Sequence, residues 1–185
     1  MSNTPSTMLP LGTPATAFSL FDTISHQKME LSNLRGEKGT LIIFICNHCP
    51  FVIHVIEKVT QIAKKYKKKG IKTIAISSND VVNYPQDAPK LMTKFAERYA
   101  FSFPYLYDES QEVAKAYQAA CTPDFFLFDK KLTLAYRGQL DNSRPGNGIP
   151  VTGKDLQDAM DQLLEGKEIS SLQKPSMGCN IKWKS

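Results

Sequence analysis

Two cysteines in the stretch Leu41-Ile42-Ile43-Phe44-Ile45-Cys46-Asn47-His48-Cys49-Pro50 stand in Cys-x-x-Cys spacing. A dithiol so spaced can attack a disulfide with one sulfur and resolve the mixed disulfide with the other. The residues from Leu41 to Ile45 are wholly apolar, and an amphipathic segment starts at Pro50. This pattern predicts a buried strand that delivers both thiols to the N-terminus of a helix. Free backbone N–H groups and the helix dipole stabilise a thiolate there. Cys121 and Cys179 bring the cysteines to four. Cys121 reads as a third redox thiol or as a small buried apolar residue. Cys179 lies in a tail without periodicity, and reads as a resolving thiol reaching back to Cys49 or Cys121, or as an exposed one. The same region allows a different class, a redox-sensing or metal-binding module, because Cys46, His48, Cys49 and His54 are zinc-ligand types. A lone Cys-x-x-Cys lacks the second pair of a structural zinc site, so no metal is assigned and no cofactor is expected. His54 reads as a solvated side chain.

The chain has 185 residues, 42% hydrophobic and 22% charged, which fits one ordinary globular domain better than two. Its formal net charge of +5 is concentrated in Lys64-Lys65-Tyr66-Lys67-Lys68-Lys69. No aromatic-interleaved basic stripe or reader motif accompanies that run, so nucleic acid is not an expected partner. The lysines suit the negative C-terminal end of the helix that starts at Pro50. No stretch has the length of a membrane span, and Met1 to Pro10 lacks the basic start and apolar run of a secretory signal. The expected compartment is the cytoplasm, where cysteines serve catalysis or metal ligation rather than structural cross-linking.

Elements to position the dithiol follow from periodicity. Residues 1–16 read as an extended lead-in, and Ala17–Phe21 with Lys28–Leu31 as a hairpin. Leu41–Ile45 is a strand covered on both faces. Phe51, Val52, Val55, Ile56, Val59, Ile62, Ala63 and Tyr66 form a helical stripe closed by Gly70, and Ile71–Ser77 is the next strand. A helix between two such strands is a right-handed βαβ unit with parallel strands. Asn79–Pro89 is a loop, Lys90–Ala100 a helix, Phe103–Tyr107 extended, and Val113–Ala120 a brief helix capped by Ser110. Asp124–Phe128 and Leu132–Arg137 form a second hairpin, Lys154–Leu164 is the last helix, and residues 165–185 form a tail. The expected fold is one α/β domain over residues 1–185, a central mixed sheet with helices on both faces, extended by an N-terminal β-hairpin and a C-terminal tail.

Several segments in this order carry a resemblance: Ala17-Phe18-Ser19-Leu20, Leu31-Ser32-Asn33-Leu34-Arg35-Gly36, Ile74-Ala75-Ile76-Ser77-Ser78-Asn79-Asp80, Cys121-Thr122-Pro123-Asp124-Phe125-Phe126-Leu127-Phe128-Asp129, Arg137-Gly138-Gln139-Leu140-Asp141 and Lys174–Lys184. With the Cys-Asn-His-Cys-Pro motif, the chain resembles the thioredoxin-like superfamily. Within it, the chain is similar to the alkyl hydroperoxide reductase/thiol-specific antioxidant (redoxin) branch, in an uncharacterised bacterial subgroup. The resemblance implies a thioredoxin-like three-layer fold and a thiol–disulfide oxidoreductase in which Cys46 attacks and Cys49 resolves. It gives supporting roles to His48 and Pro50, because His48 resembles the histidine of Cys-Pro-His-Cys in bacterial disulfide-forming enzymes, although Asn47 replaces their proline. It implies a cis Thr122-Pro123 bond facing the dithiol, whose backbone groups pair with a bound peptide. The buried acid of thioredoxins would fall at Thr40, leaving Glu37 and Glu57 as substitutes.

An antioxidant thiol peroxidase is the alternative, with Cys49 as the peroxidatic residue before Pro50. Against it, Cys46 stands where that branch has threonine, and Cys121-Thr122-Pro123 where it has an arginine; Arg137 would have to serve instead. The implied partners are a disulfide-containing or peroxide substrate and a thioredoxin or glutathione system as electron donor. Neither the motifs nor the resemblance sets an oligomeric state.

Overall fold

The structure is a computed structural model that describes residues 3–185. The first half runs β1 (Asn3–Pro5), β2 (Ser19–Asp22), β3 (Lys28–Glu30), α1 (Leu31–Leu34), β4 (Gly39–Phe44), α2 (Pro50–Lys67), β5 (Ile71–Ser77) and α3 (Pro89–Arg98). The second runs β6 (Tyr105–Tyr107), α4 (Glu112–Ala116), β7 (Cys121–Thr122), β8 (Asp124–Asp129), β9 (Leu134–Tyr136), α5 (Lys154–Leu164) and β10 (Met177–Asn180).

Period-two alternation divides the central strands between two cores. Leu41, Ile43 and Ile45 join Phe125 and Leu127 on one side, while Ile42 and Phe44 join Phe126 and Phe128 on the other. The first core is closed by α2, α3 and α5 through residues such as Val52, Ile56, Met92, Phe95, Leu156 and Met160. The second is closed by Leu9, Phe18, Leu31, Ala114 and Tyr117. The seven strands lie in the order β3-β2-β6-β5-β4-β8-β9, with β4, β5 and β6 mutually parallel and the remaining pairs antiparallel. This is the mixed, doubly covered sheet of the thioredoxin-like fold.

The βαβ unit from β4 through α2 to β5 forms as the apolar pattern requires. Pro50 occupies the first turn of α2, where its missing N–H leaves no bond unmade, and Lys64, Lys65 and Lys67 fill the last turn. Among the described residues no helix is long and apolar enough to cross a membrane.

Three local expectations are corrected. The second hairpin has a longer turn, because the Asp129 side chain accepts the N–H groups of Lys131 and Thr133 and Leu132 takes a positive φ. Its return strand therefore starts at Leu134. The brief helix spans only Glu112–Ala116 with Gln111 at its N-cap position; Ser110 Oγ accepts the Glu112 N–H at 3.3 Å, and Asp108 serves the next two N–H groups. The Asp108 carboxylate accepts the N–H of Ala114 at 2.9 Å and of Val113 at 3.4 Å.

The third correction concerns both chain ends. Met1 and Ser2 lie outside the described residues, but the rest of the lead-in is not a loose approach. β1 pairs antiparallel with β10, and β10 pairs antiparallel with β7, making a second, three-stranded sheet from segments without internal periodicity. Gly178 makes this approach possible. A Cβ there would lie 2.0 Å from the Thr122 carbonyl oxygen, a backbone atom that cannot swing aside. Gly178→Ala is therefore expected to cost about 2 kcal/mol or more, measured as a lower urea midpoint; an unchanged midpoint would show that β10 is not pressed against Thr122.

Candidate active site

The Ile45 N–H bonds the Ile76 carbonyl, so the chain leaves the sheet only at Cys46. Cys49 then takes an extended conformation as the N-cap of α2, and its carbonyl accepts the Ile53 N–H at 3.0 Å. Both thiols are thus set at the helix start, yet Cys46 is only 1% exposed and Cys49 fully buried. The Thr122-Pro123 bond is cis, and Thr122 lies against both sulfurs. Its Oγ1 is 3.6 Å from Cys46 Sγ, and its carbonyl oxygen is 3.1 Å from Cys49 Sγ.

The two thiols behave as one titrating unit. A hydrogen bond from Cys46, strengthened by contacts from Cys179, Thr122 and the Val52 N–H, outweighs burial and pulls Cys49 down to about 5. The same bond from the other side, with burial and the Asp87 charge, pushes Cys46 well above the ordinary thiol value. One proton is therefore lost easily and the second is held. Thr122 serves either placement of the remaining proton. Its hydroxyl can donate to a Cys46 thiolate while its carbonyl accepts from a protonated Cys49.

Asp87, in a single 3-10 turn Pro85–Asp87, organises the approach to Cys46. It is fully buried, accepts the Asn47 N–H at 2.9 Å and the Asn79 side-chain amide at 2.8 Å, and sits 2.8 Å from His48 Nδ1. Tyr84 stacks on the His48 ring, 5.9 Å between centroids and 7° between planes. Nδ1 is therefore committed mainly to Asp87, and Cys46 Sγ lies further from it at 3.9 Å. The Tyr105 hydroxyl holds the Asn47 side chain at 3.0 Å. Cys46, His48 and Asp87 place donor atoms within 4.8 Å of one another, a set whose thiolate, imidazole and carboxylate types suit zinc.

Of the residues marked in the sequence, Cys46, His48, Cys49, Pro50, Thr122 and Pro123 come together. Cys179 does so too, and of its two readings the exposed one is removed: β10 buries it to 3% exposure, and the Cys49 sulfur is close enough to raise its thiol. Cys121 is fully buried behind them in β7; its thiol faces the Pro123 carbonyl at 3.6 Å, and burial pushes it far above the ordinary range. His54 is half-buried rather than solvated, 2.7 Å from the Ser143 hydroxyl, and so does not join a metal set with Cys46. Arg137 is committed to the Leu9 carbonyl and Gln173. Glu37 and Glu57 are exposed, so neither supplies a buried acid. A buried acid is present in Asp87, which acts on Cys46 and His48 rather than on Cys49 and which the sequence hides in a loop 40 residues beyond Asn47. Asn79, two residues past the β5 strand, is the nearest signal for it.

The profile of the AhpC/TSA family matches residues 11–137 of the chain. The thiol-disulfide oxidoreductase ResA of Geobacillus kaustophilus (strain HTA426) is 31% identical over 128 residues, covering 69% of this chain and 68% of that protein. The crystal structure of an uncharacterized conserved protein from Geobacillus kaustophilus, 53% identical, covers 100% of this chain and 97% of its own with a TM-score of 0.97. A putative thioredoxin from Neisseria meningitidis, 25% identical, covers 82% of this chain and 89% of its own with a TM-score of 0.62.

A second buried acid, Asp124, follows the cis bond. Burial pushes its carboxyl up to about 7, against hydrogen bonds from the Ser6 side chain and the Ala120 N–H. Near pH ~4 and below, folded and unfolded chains both hold this proton. From there up to the folded value only the folded chain keeps it, so stability falls as pH rises, by about 1.4 kcal/mol per unit. Asp124→Asn should match the native chain near pH ~4 and exceed it by a few kcal/mol near pH ~8. Parallel denaturation curves across that range would contradict this.

Proposed function

We propose that this chain, which belongs to the AhpC/TSA family and is a thiol–disulfide oxidoreductase, works through Cys46 and Cys49. The observation that carries this reading is the convergence of both sulfurs on Thr122 at the start of α2. The Cys46 proton passes to the Cys49 sulfur within the coupled pair, and the Cys46 thiolate attacks one sulfur of a substrate disulfide, forming a mixed disulfide and releasing the other half as a thiolate. Cys49 passes its proton away and attacks the Cys46 sulfur, which releases the second half and leaves the Cys46–Cys49 disulfide. Thr122 donates to Cys46 in the first step and accepts from Cys49 until the second. Asp87 and Tyr84 hold the His48 ring beside the sulfur that meets the substrate.

A thioredoxin or glutathione system is the electron donor in this reading, returning the disulfide to the dithiol. The cytoplasm is the proposed compartment, supported by the gathering of all four cysteines at one end of the sheet, where none staples distant surfaces. An antioxidant peroxidase acting through Cys49 is the second reading, favoured by the lowered value of that thiol before Pro50. It is disfavoured by the commitment of Arg137 elsewhere, which removes the guanidinium proposed to polarise a peroxide.

Cys46→Ser should lower turnover of a small disulfide by at least about a thousandfold, followed by the thiol released. Hydrogen-peroxide consumption that persists in Cys46→Ser and disappears in Cys49→Ser would assign the peroxidase instead.

A further inference from the structure

In a cis-proline segment of this kind, the backbone of the residue before proline is a free strand edge on which an extended substrate can add. Here that edge is taken. β10 lies antiparallel along β7 with Cys179 opposite Thr122 and Asn180 opposite Cys121. The placement is reinforced around it. The Ser176 hydroxyl donates to the Pro123 carbonyl at 2.7 Å, the Ile181 N–H bonds the Ala120 carbonyl, and β1 closes the outer side of β10. The chain's own C-terminal strand therefore occupies the position of a substrate strand, and the residue it sets against Thr122 is a cysteine.

We propose that Cys179 is a third redox residue, an internal partner that takes over the disulfide from Cys46–Cys49 by exchange at the Cys49 sulfur. This rests on the dithiol reading given above. The Cys179 sulfur attacks Cys49, the Cys49–Cys179 bond forms, the Cys46–Cys49 bond breaks, and the proton of Cys179 passes to the departing Cys46 sulfur. No electrons are gained or lost, and the only oxidant is the substrate disulfide that made the first bond. The strand pairing sets Cys179 opposite Thr122, whose carbonyl oxygen is 3.1 Å from the Cys49 sulfur, so both thiols converge on the same residue. In the reduced protein, burial and the neighbouring Cys49 sulfur push the Cys179 thiol up to about 12. Once Cys49 is in a disulfide it carries no charge, and the second of those causes disappears. The transfer returns Cys46, the sulfur nearest His48, to its free form while the disulfide rests between α2 and β10.

The test is peptide mapping of the full chain after native oxidation with excess glutathione disulfide, thiol blocking and trypsin digestion. Cys46 and Cys49 share the peptide 39–58, Cys179 lies in 168–182 and Cys121 in 116–130, so an internal Cys46–Cys49 disulfide and the cross-links to Cys179 and to Cys121 differ in mass, and fragmentation between residues 46 and 49 tells which sulfur carries a cross-link. Cys46→Ser should yield peptide 39–58 joined to 168–182 through Cys49 and Cys179. The native chain should yield the same cross-link beside the Cys46–Cys49 disulfide, and Cys179→Ser should lose it. A native chain that forms only Cys46–Cys49, with Cys46→Ser giving either free thiols or Cys49 bound to glutathione, would overturn the exchange and leave the dithiol reading intact. A native chain that forms neither the Cys46–Cys49 disulfide nor the Cys49–Cys179 cross-link would overturn that reading and the exchange with it. Joining of 39–58 to 116–130 in place of 168–182 would move the role to Cys121 and overturn the assignment of Cys179.

Discussion

Thr122 is the contact on which the rest of this site depends. Its hydroxyl reaches Cys46, its carbonyl reaches Cys49, and its backbone edge carries the strand that holds Cys179. Each contact comes from a different part of the chain: the loop after β4, the cap of α2 and the C-terminal strand. The central sheet fixes where they meet, because β4 and β8 pair side by side with Phe44 opposite Asp124. The loop leaving β4 and the segment entering β8 are consequently neighbours, and no flexible element lies between the thiols and the threonine.

The chemistry is set by burial working against hydrogen bonding. Enclosing a thiolate disfavours its charge, and burial alone would keep all four thiols protonated. Cys121 shows that outcome, while Cys49 shows the opposite because a neighbouring thiol and the Val52 N–H at the helix start face its sulfur. Asp87 imposes a further condition on Cys46, because its negative charge raises the thiol it helps to surround. Asp87 is retained at full burial by bonds to Asn47, Asn79 and His48, which supply the donors a buried carboxylate requires. The same group that positions the histidine therefore also restrains the attacking sulfur.

What could be read from the sequence was whatever repeats with short period. The stripe from Phe51 to Tyr66 and the apolar runs at Leu41–Ile45 and Ile71–Ser77 define the βαβ unit, and with it the placement of Cys46 and Cys49. Thr122 and Pro123 were found by resemblance, not by periodicity. Asp87 and β10 were hidden for a common physical reason. A single acid in a 3-10 turn and a four-residue strand containing glycine have no internal pattern, and their structure comes from partners far away in the chain. Asp124 was visible as a strand residue, but its burial next to Cys121 depends on β7, β8 and the N-terminal segment meeting, which no local window shows.

The central claim is that Cys46 and Cys49, held against Thr122, form the redox pair that meets the substrate. Equilibrating the native protein across a series of reduced-to-oxidised glutathione ratios, with thiol trapping and mass analysis at each, tests it most directly. The account predicts that the first oxidation is one two-electron step that forms the Cys46–Cys49 disulfide, shared with Cys179 where exchange moves it on, while Cys121 stays reduced. Oxidation that begins at Cys121, or that leaves Cys46 free while Cys49 is held as a mixed disulfide with glutathione, would contradict it.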